Sequence, residues 1–121
     1  MSKVLIVDDS TDSRAFCELI ASMLNVKVEK ADCVDQAIMA LDAGLQPDLI
    51  LLDLIMPGRA PGELVKRVKE DPTLSGTRIV IMSTMREIHE MATAIGADYA
   101  MMKPLDMAKF ADQLRPYSMA I

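Results

Sequence analysis

Apolar residues in this chain gather into short runs, and each run closes on a polar group. Val4–Val7 is followed by Asp8 and Asp9, and Leu49–Leu52 by Asp53. Ile79–Met82 is followed by Ser83 and Thr84, and Ala100–Met102 by Lys103 and Pro104. Continuous apolar runs of this length, bounded by turn residues, read as strands covered on both faces. Strands are thus predicted at Lys3–Val7, Asp48–Asp53, Arg78–Ser83 and Tyr99–Met102. Val26–Lys30 alternates apolar with charged residues and reads as an edge strand with one solvated face. Helical spacing fills the gaps. From about Asp12 to Leu24 it places Phe16, Leu19, Ile20 and Met23 on one face, behind the cap-type hydroxyls of Ser10 and Thr11. Further helices are expected at about Val34–Ala43, stopped by Gly44, and Gly62–Glu70, stopped by Pro72. The last two fall at about Glu87–Ile95, stopped by Gly96, and Asp106–Leu114, ahead of Pro116.

Strict alternation of strand and helix implies a parallel sheet with helices on both faces, joined by right-handed crossovers. With the second strand at an edge and the apolar strands central, the expected order is 2-1-3-4-5. This is an α/β, doubly wound, flavodoxin-like sheet of five strands and five helices. No linker, repeat or low-complexity segment interrupts it, so residues 1–121 are expected to form one domain.

Composition narrows the picture. The chain is 51% hydrophobic but only 3% aromatic, with no Trp and 11 Met. An aliphatic core filled out by methionine is expected. The net charge of −5 argues against a nucleic-acid surface, which needs clustered Lys and Arg. No apolar stretch approaches the roughly 18 residues needed to span a membrane, and the N-terminus lacks a signal-peptide pattern. A cytoplasmic protein with no membrane contact is expected. Cys17 and Cys33 are then free thiols, no Cys/His group has metal spacing, and His89 reads as a solvated surface residue.

In a parallel sheet the C-terminal ends of all strands share one edge. That edge would hold the carboxylates of Asp8, Asp9 and Asp53, the hydroxyl of Ser83 and the ammonium of Lys103. Neighbouring strands lie about 4.8 Å apart, so three carboxylates crowd one pocket and repel unless a cation sits among them. Oxygen-only ligands with open positions suit Mg²⁺ shared with a phosphoryl group. A backbone carbonyl after Asp53 could add a ligand. Lys103 and Ser83 suit phosphoryl oxygens, and Asp53 is placed to act as a nucleophile that forms an aspartyl phosphate.

With those residues in view, the chain resembles the receiver domain of two-component response regulators over nearly its whole length. The motifs are V-L-I-V-D-D-S ending at Ser10, D-L-I-L-L-D-L-I-M-P ending at Pro57, I-V-I-M-S ending at Ser83, and G-A-D-Y-A-M-M-K-P ending at Pro104. The resemblance implies that Asp53 accepts a phosphoryl group from a histidine kinase or phosphotransfer protein. It implies Mg²⁺ bound by Asp8, Asp9, Asp53 and the Ile55 carbonyl, with Lys103 on the phosphoryl group and its bond to Pro104 open to the cis form. Ser83 matches the switch hydroxyl, whose turn repacks the face of helix four, strand five and helix five for a downstream protein or a phosphorylation-dependent homodimer. It implies a signalling module that promotes only its own phosphorylation and dephosphorylation, not an enzyme.

Three positions depart from the receiver pattern. Ala100 stands where such receivers carry Tyr or Phe three residues before the lysine, and Tyr99 lies one earlier, on the other face of the strand. Thr84 replaces Ala or Gly after the switch residue. The loop from Gly58 to Gly62 is one residue longer than usual. Ile55 and Met85, each two residues beyond a site residue, are large and apolar, which predicts slow hydrolysis of the acyl phosphate. Two other readings compete: a receiver working within a larger regulator, and a degenerate receiver that binds partners without phosphate.

Overall fold

The computed structural model describes residues 3–118. Five strands form one parallel sheet: β1 (Lys3–Val7), β2 (Lys27–Ala31), β3 (Leu49–Asp53), β4 (Arg78–Ser83) and β5 (Tyr99–Met102), in the order β2-β1-β3-β4-β5. Helices α1 (Thr11–Met23), α2 (Val34–Asp42), α3 (Pro61–Lys69), α4 (Ile88–Ile95) and α5 (Met107–Leu114) connect and cover it. The flavodoxin-like expectation holds, and most boundaries fall within one residue. β2 starts one residue late because the Val26 N–H is taken by the Ala21 carbonyl at 2.9 Å, which keeps Val26 in the turn. Short 3-10 turns at Pro72–Leu74 and Arg115–Tyr117 were not foreseen. Each begins at or beside a proline, whose fixed φ suits the first turn of a helix.

Alternation along the strands splits the core in two. Leu5, Val7, Ile50, Leu52, Ile79, Ile81 and Ala100 pack with α2, α3 and α4. Val4, Ile6, Leu49, Leu51, Val80, Met82 and Met101 pack with α1 and α5, around Ile20 and Phe110. The period of two therefore decides which helix layer each strand-end side chain faces.

Two expectations about packing fail. The core is aliphatic as expected, but among the described methionines only Met82 and Met101 are buried, while Met23, Met39, Met85, Met102 and Met107 are exposed. On α1, Leu19 and Met23 face solvent, and the buried stripe is Cys17, Ile20 and Ala21. The small side chains of Cys17 and Ala21 let the helix lie close to the sheet and rotate Leu19 and Met23 outward. Both cysteines are free, and burial pushes the Cys17 thiol up to about 12. His89 is exposed, as expected.

Candidate functional site

Asp8 directly follows β1, and its side chain is fully buried. Its Oδ1 accepts the Ser10 N–H at 2.9 Å, and its backbone carbonyl accepts from Arg14 Nη1 at 2.7 Å. Ser10 in turn caps α1, its Oγ accepting the Ser13 N–H at 3.2 Å. The end of β1 and the first turn of α1 are thereby locked together. Asp9 beside it is exposed. Asp53 ends β3 and is buried. Carboxylate oxygens of Asp8, Asp9 and Asp53 all lie within 4.8 Å of one another.

Asp53 shares strand parity with Leu49 and Leu51, and Asp8 with Val4 and Ile6. Both therefore project on the α1/α5 side, as does Lys103, two residues beyond Met101. Lys103 Nζ lies 3.0 Å from Asp8 Oδ2, 3.5 Å from Asp53 Oδ1 and 3.3 Å from Ser13 Oγ. The Lys103–Pro104 peptide is cis. Ser83 has the parity of Ile79 and Ile81 and faces the α4 side. Its Oγ accepts the Met85 N–H at 3.1 Å rather than bonding to the acids or the ammonium. Four of the five expected side chains converge, and the fifth stands one strand away, engaged in its own turn.

The charges are unevenly matched. Burial raises the Asp53 carboxyl, the Lys103 charge pulls it down and the Asp8 charge pushes it up again, so that it stays above its ordinary value. For Lys103, burial alone would depress the ammonium, but the hydrogen bond to Asp8 and the charges of Asp53 and Asp8 raise it. The lysine has two carboxylate partners, whereas Asp53 bears both burial and a like charge. A pocket of oxygen ligands in which one carboxylate is disfavoured as an anion fits a divalent cation. Sequence reasoning missed Ser13 and Arg14. Their contacts depend on how α1 sits over the sheet, and the only local signal was their place in the turn after Ser10.

A model of the response regulator receiver domain matches residues 4–115. The chain belongs to that family. Among curated relatives it is 32% identical to the two-component response regulator ORR6 of Oryza sativa subsp. japonica, over 93% of this receiver and 70% of the relative. It is 31% identical to the two-component response regulator ARR3 of Arabidopsis thaliana, over 94% of this chain and 54% of that one. Among solved structures, the chemotaxis response regulator CheY4 of Vibrio cholerae superposes with a TM-score of 0.84 at 28% identity, covering 97% of this chain and 98% of that one. A two-component response regulator from Clostridium difficile shares the fold alone, with a TM-score of 0.83 at 21% identity, covering 97% and 95%. Receiver domains are signalling modules of two-component systems, not classical enzymes, and bind Mg²⁺ at an acidic pocket such as the one formed by these aspartates. Among the described residues no helix is long and apolar enough to cross a membrane.

Ala100 is 4% exposed, in the core beside Ile88 and Ala92. Tyr99 is 42% exposed, with the Arg78 guanidinium 5.7 Å from its ring centroid. The receiver thus keeps its aromatic ring outside, on the opposite face of β5 from the usual position.

Proposed function

We propose that Asp53 accepts a phosphoryl group from a histidine kinase or phosphotransfer protein, and that the aspartyl phosphate switches which protein this receiver binds. The observation that carries this reading is one juxtaposition: three aspartate carboxylates within 4.8 Å and the Lys103 ammonium 3.5 Å from Asp53. Asp8, Asp9, Asp53 and the Ile55 carbonyl would hold Mg²⁺, which when bound offsets the charge on the transferring oxygens. Asp53 Oδ attacks phosphorus, the bond to the donor nitrogen breaks, and the imidazole leaves with that electron pair. Lys103 donates to a phosphoryl oxygen as charge accumulates. Ser83 leaves the Met85 N–H and turns towards another oxygen. That movement repacks α4, β5 and α5, where exposed Tyr99 and Met102 would meet a downstream protein or a second copy. With Ala100 small and Tyr99 already outside, the readout runs through backbone and methionine packing instead of an aromatic swing.

The test is incubation with acetyl phosphate and Mg²⁺, followed by intact mass measurement. The wild type is expected to gain one phosphoryl group and Asp53→Ala none. A wild type that gains nothing, and whose amide spectrum is unmoved by beryllofluoride with Mg²⁺, would refute the reading.

Ile55 is 55% exposed and Met85 38% exposed, so both present apolar surface to solvent, each two residues beyond a site residue. They are expected to hinder the approach of hydrolytic water. The isolated phosphorylated chain should keep its phosphoryl group for minutes or longer, and Ile55→Asn or Met85→Glu should shorten that time several-fold. A lifetime of seconds at saturating Mg²⁺ would contradict this.

A further inference from the structure

We propose that Ser13 is a positioning residue for phosphoryl transfer, acting through Lys103; the proposal rests on the phosphoacceptor reading of Asp53. An ammonium has three N–H donors and no acceptor. Here the three acceptors around Lys103 Nζ are Asp8 Oδ2 at 3.0 Å, Ser13 Oγ at 3.3 Å and Asp53 Oδ1 at 3.5 Å. The longest of the three is the one that must give way when a phosphoryl oxygen arrives on Asp53. The other two stay in place and hold the ammonium through the exchange. Asp8 alone would leave a charge on a flexible four-carbon stem free to pivot. Ser13 supplies the second fixed point without adding negative charge to a pocket that already holds three carboxylates.

Among the described residues its hydroxyl makes no hydrogen bond other than the one from Lys103. The cap of α1 uses the backbone N–H of Ser13, not its side chain. Arg14 and Ser10 fix the first turn of the helix independently. A hollow of about 340 Å³ lined by Asp12, Ser13, Phe16, Lys103, Pro104 and Leu105 opens beside the ammonium. Without the hydroxyl, water from that hollow would take its place, and a mobile water does not hold the lysine.

The experiment compares wild type, Ser13→Ala and Ser13→Thr in the full chain. It reads the maximal rate of phosphoryl gain from acetyl phosphate, the half-saturating acetyl phosphate and Mg²⁺ concentrations, and the thermal midpoint. Ser13→Ala is expected to lower the maximal rate about fivefold, because a lysine left free to pivot is held less often where it meets the phosphoryl oxygen. Half-saturating concentrations should stay within about twofold, because uniform binding is untouched. The thermal midpoint should hold or rise, and Ser13→Thr should restore the rate. A second readout needs no phosphate: the ¹H–¹⁵N signal of the Lys103 ammonium should be resolved at low temperature in wild type and lost in Ser13→Ala. A Ser13→Ala rate equal to wild type, a loss that threonine leaves unrestored, or a fall in midpoint alongside the rate each overturns the proposal. If wild type itself takes no phosphoryl group, the phosphoacceptor reading has failed, and an ammonium signal unchanged in Ser13→Ala then overturns the role of Ser13 separately.

Discussion

Asp53→Asn is expected to abolish phosphoryl uptake and to make the metal-free protein more stable. Asp53 is 6% exposed and its carboxyl is held above its ordinary value by burial, with Lys103 opposing and Asp8 reinforcing. A carboxylic acid whose folded pKa exceeds its unfolded pKa binds more protons when folded. Stability then falls as pH rises from the ordinary carboxylate range through the raised folded value, and the penalty is complete above that value. Asparagine fills the same space and does not ionise. The variant should therefore melt above the wild type once the carboxyl is ionised, by a few degrees, the ordinary scale for a single substitution in a domain this size. The check is a set of thermal melts between about pH 4 and pH 8 for both proteins without Mg²⁺. The wild-type curve should lose stability on the way up relative to the variant, and the gap should narrow when Mg²⁺ is added, because a ligand held only by the folded wild type stabilises it by mass action. A variant melting below wild type at neutral pH would show that the Lys103 contact outweighs burial and the Asp8 charge.

This antagonism between stability and chemistry was legible in the sequence in outline. Four apolar runs ending on Asp8, Asp53, Ser83 and Lys103 placed those groups on one sheet edge once the alternation of strand and helix fixed a parallel sheet. Strand parity even carried their sidedness, since Asp53 follows Leu49 and Leu51 by even steps and Ser83 follows Ile79 and Ile81. What the pattern could not supply was the lateral placement of α1. Phe16, Leu19, Ile20 and Met23 satisfy helical spacing, yet the helix buries Cys17 and Ala21 and turns Leu19 and Met23 to solvent. Several apolar arcs were available, and close approach to the sheet selects the one with the smaller side chains. The same placement brings Ser13 to Lys103 and Arg14 to the Asp8 carbonyl, contacts that no spacing announces. The methionines mislead for a related reason. An unbranched apolar side chain fits a core or a surface equally well, so composition says nothing about which it occupies.

The opposite change should have the opposite sign. Lys103→Met is expected to lower stability by roughly 2 kcal/mol without Mg²⁺, and to slow phosphoryl gain to near the detection limit. Removing one partner of a buried ion pair costs about 3–5 kcal/mol. That figure is reduced here because the Lys103 side chain is 17% exposed and Asp9 is open to solvent, although Asp8 is fully buried. The pH signature separates this from simple loss of packing. In wild type, the hydrogen bond to Asp8 and the charges of Asp53 and Asp8 raise Lys103 despite burial. Its contribution is thus complete below the ordinary lysine value and lost only as pH rises through the raised one. The variant should lack that alkaline loss and weaken instead as pH rises through the raised value of Asp53, whose charge would no longer be opposed by the ammonium. Asp53→Asn should then stabilise Lys103→Met by more than it stabilises the wild type, because the two residues share one interaction. Denaturant titrations of the wild type, both single variants and the double variant measure that coupling. Strictly additive effects would mean that Lys103 is held by Asp8 and Ser13 alone, leaving Asp53 without an electrostatic tie to the lysine before phosphorylation.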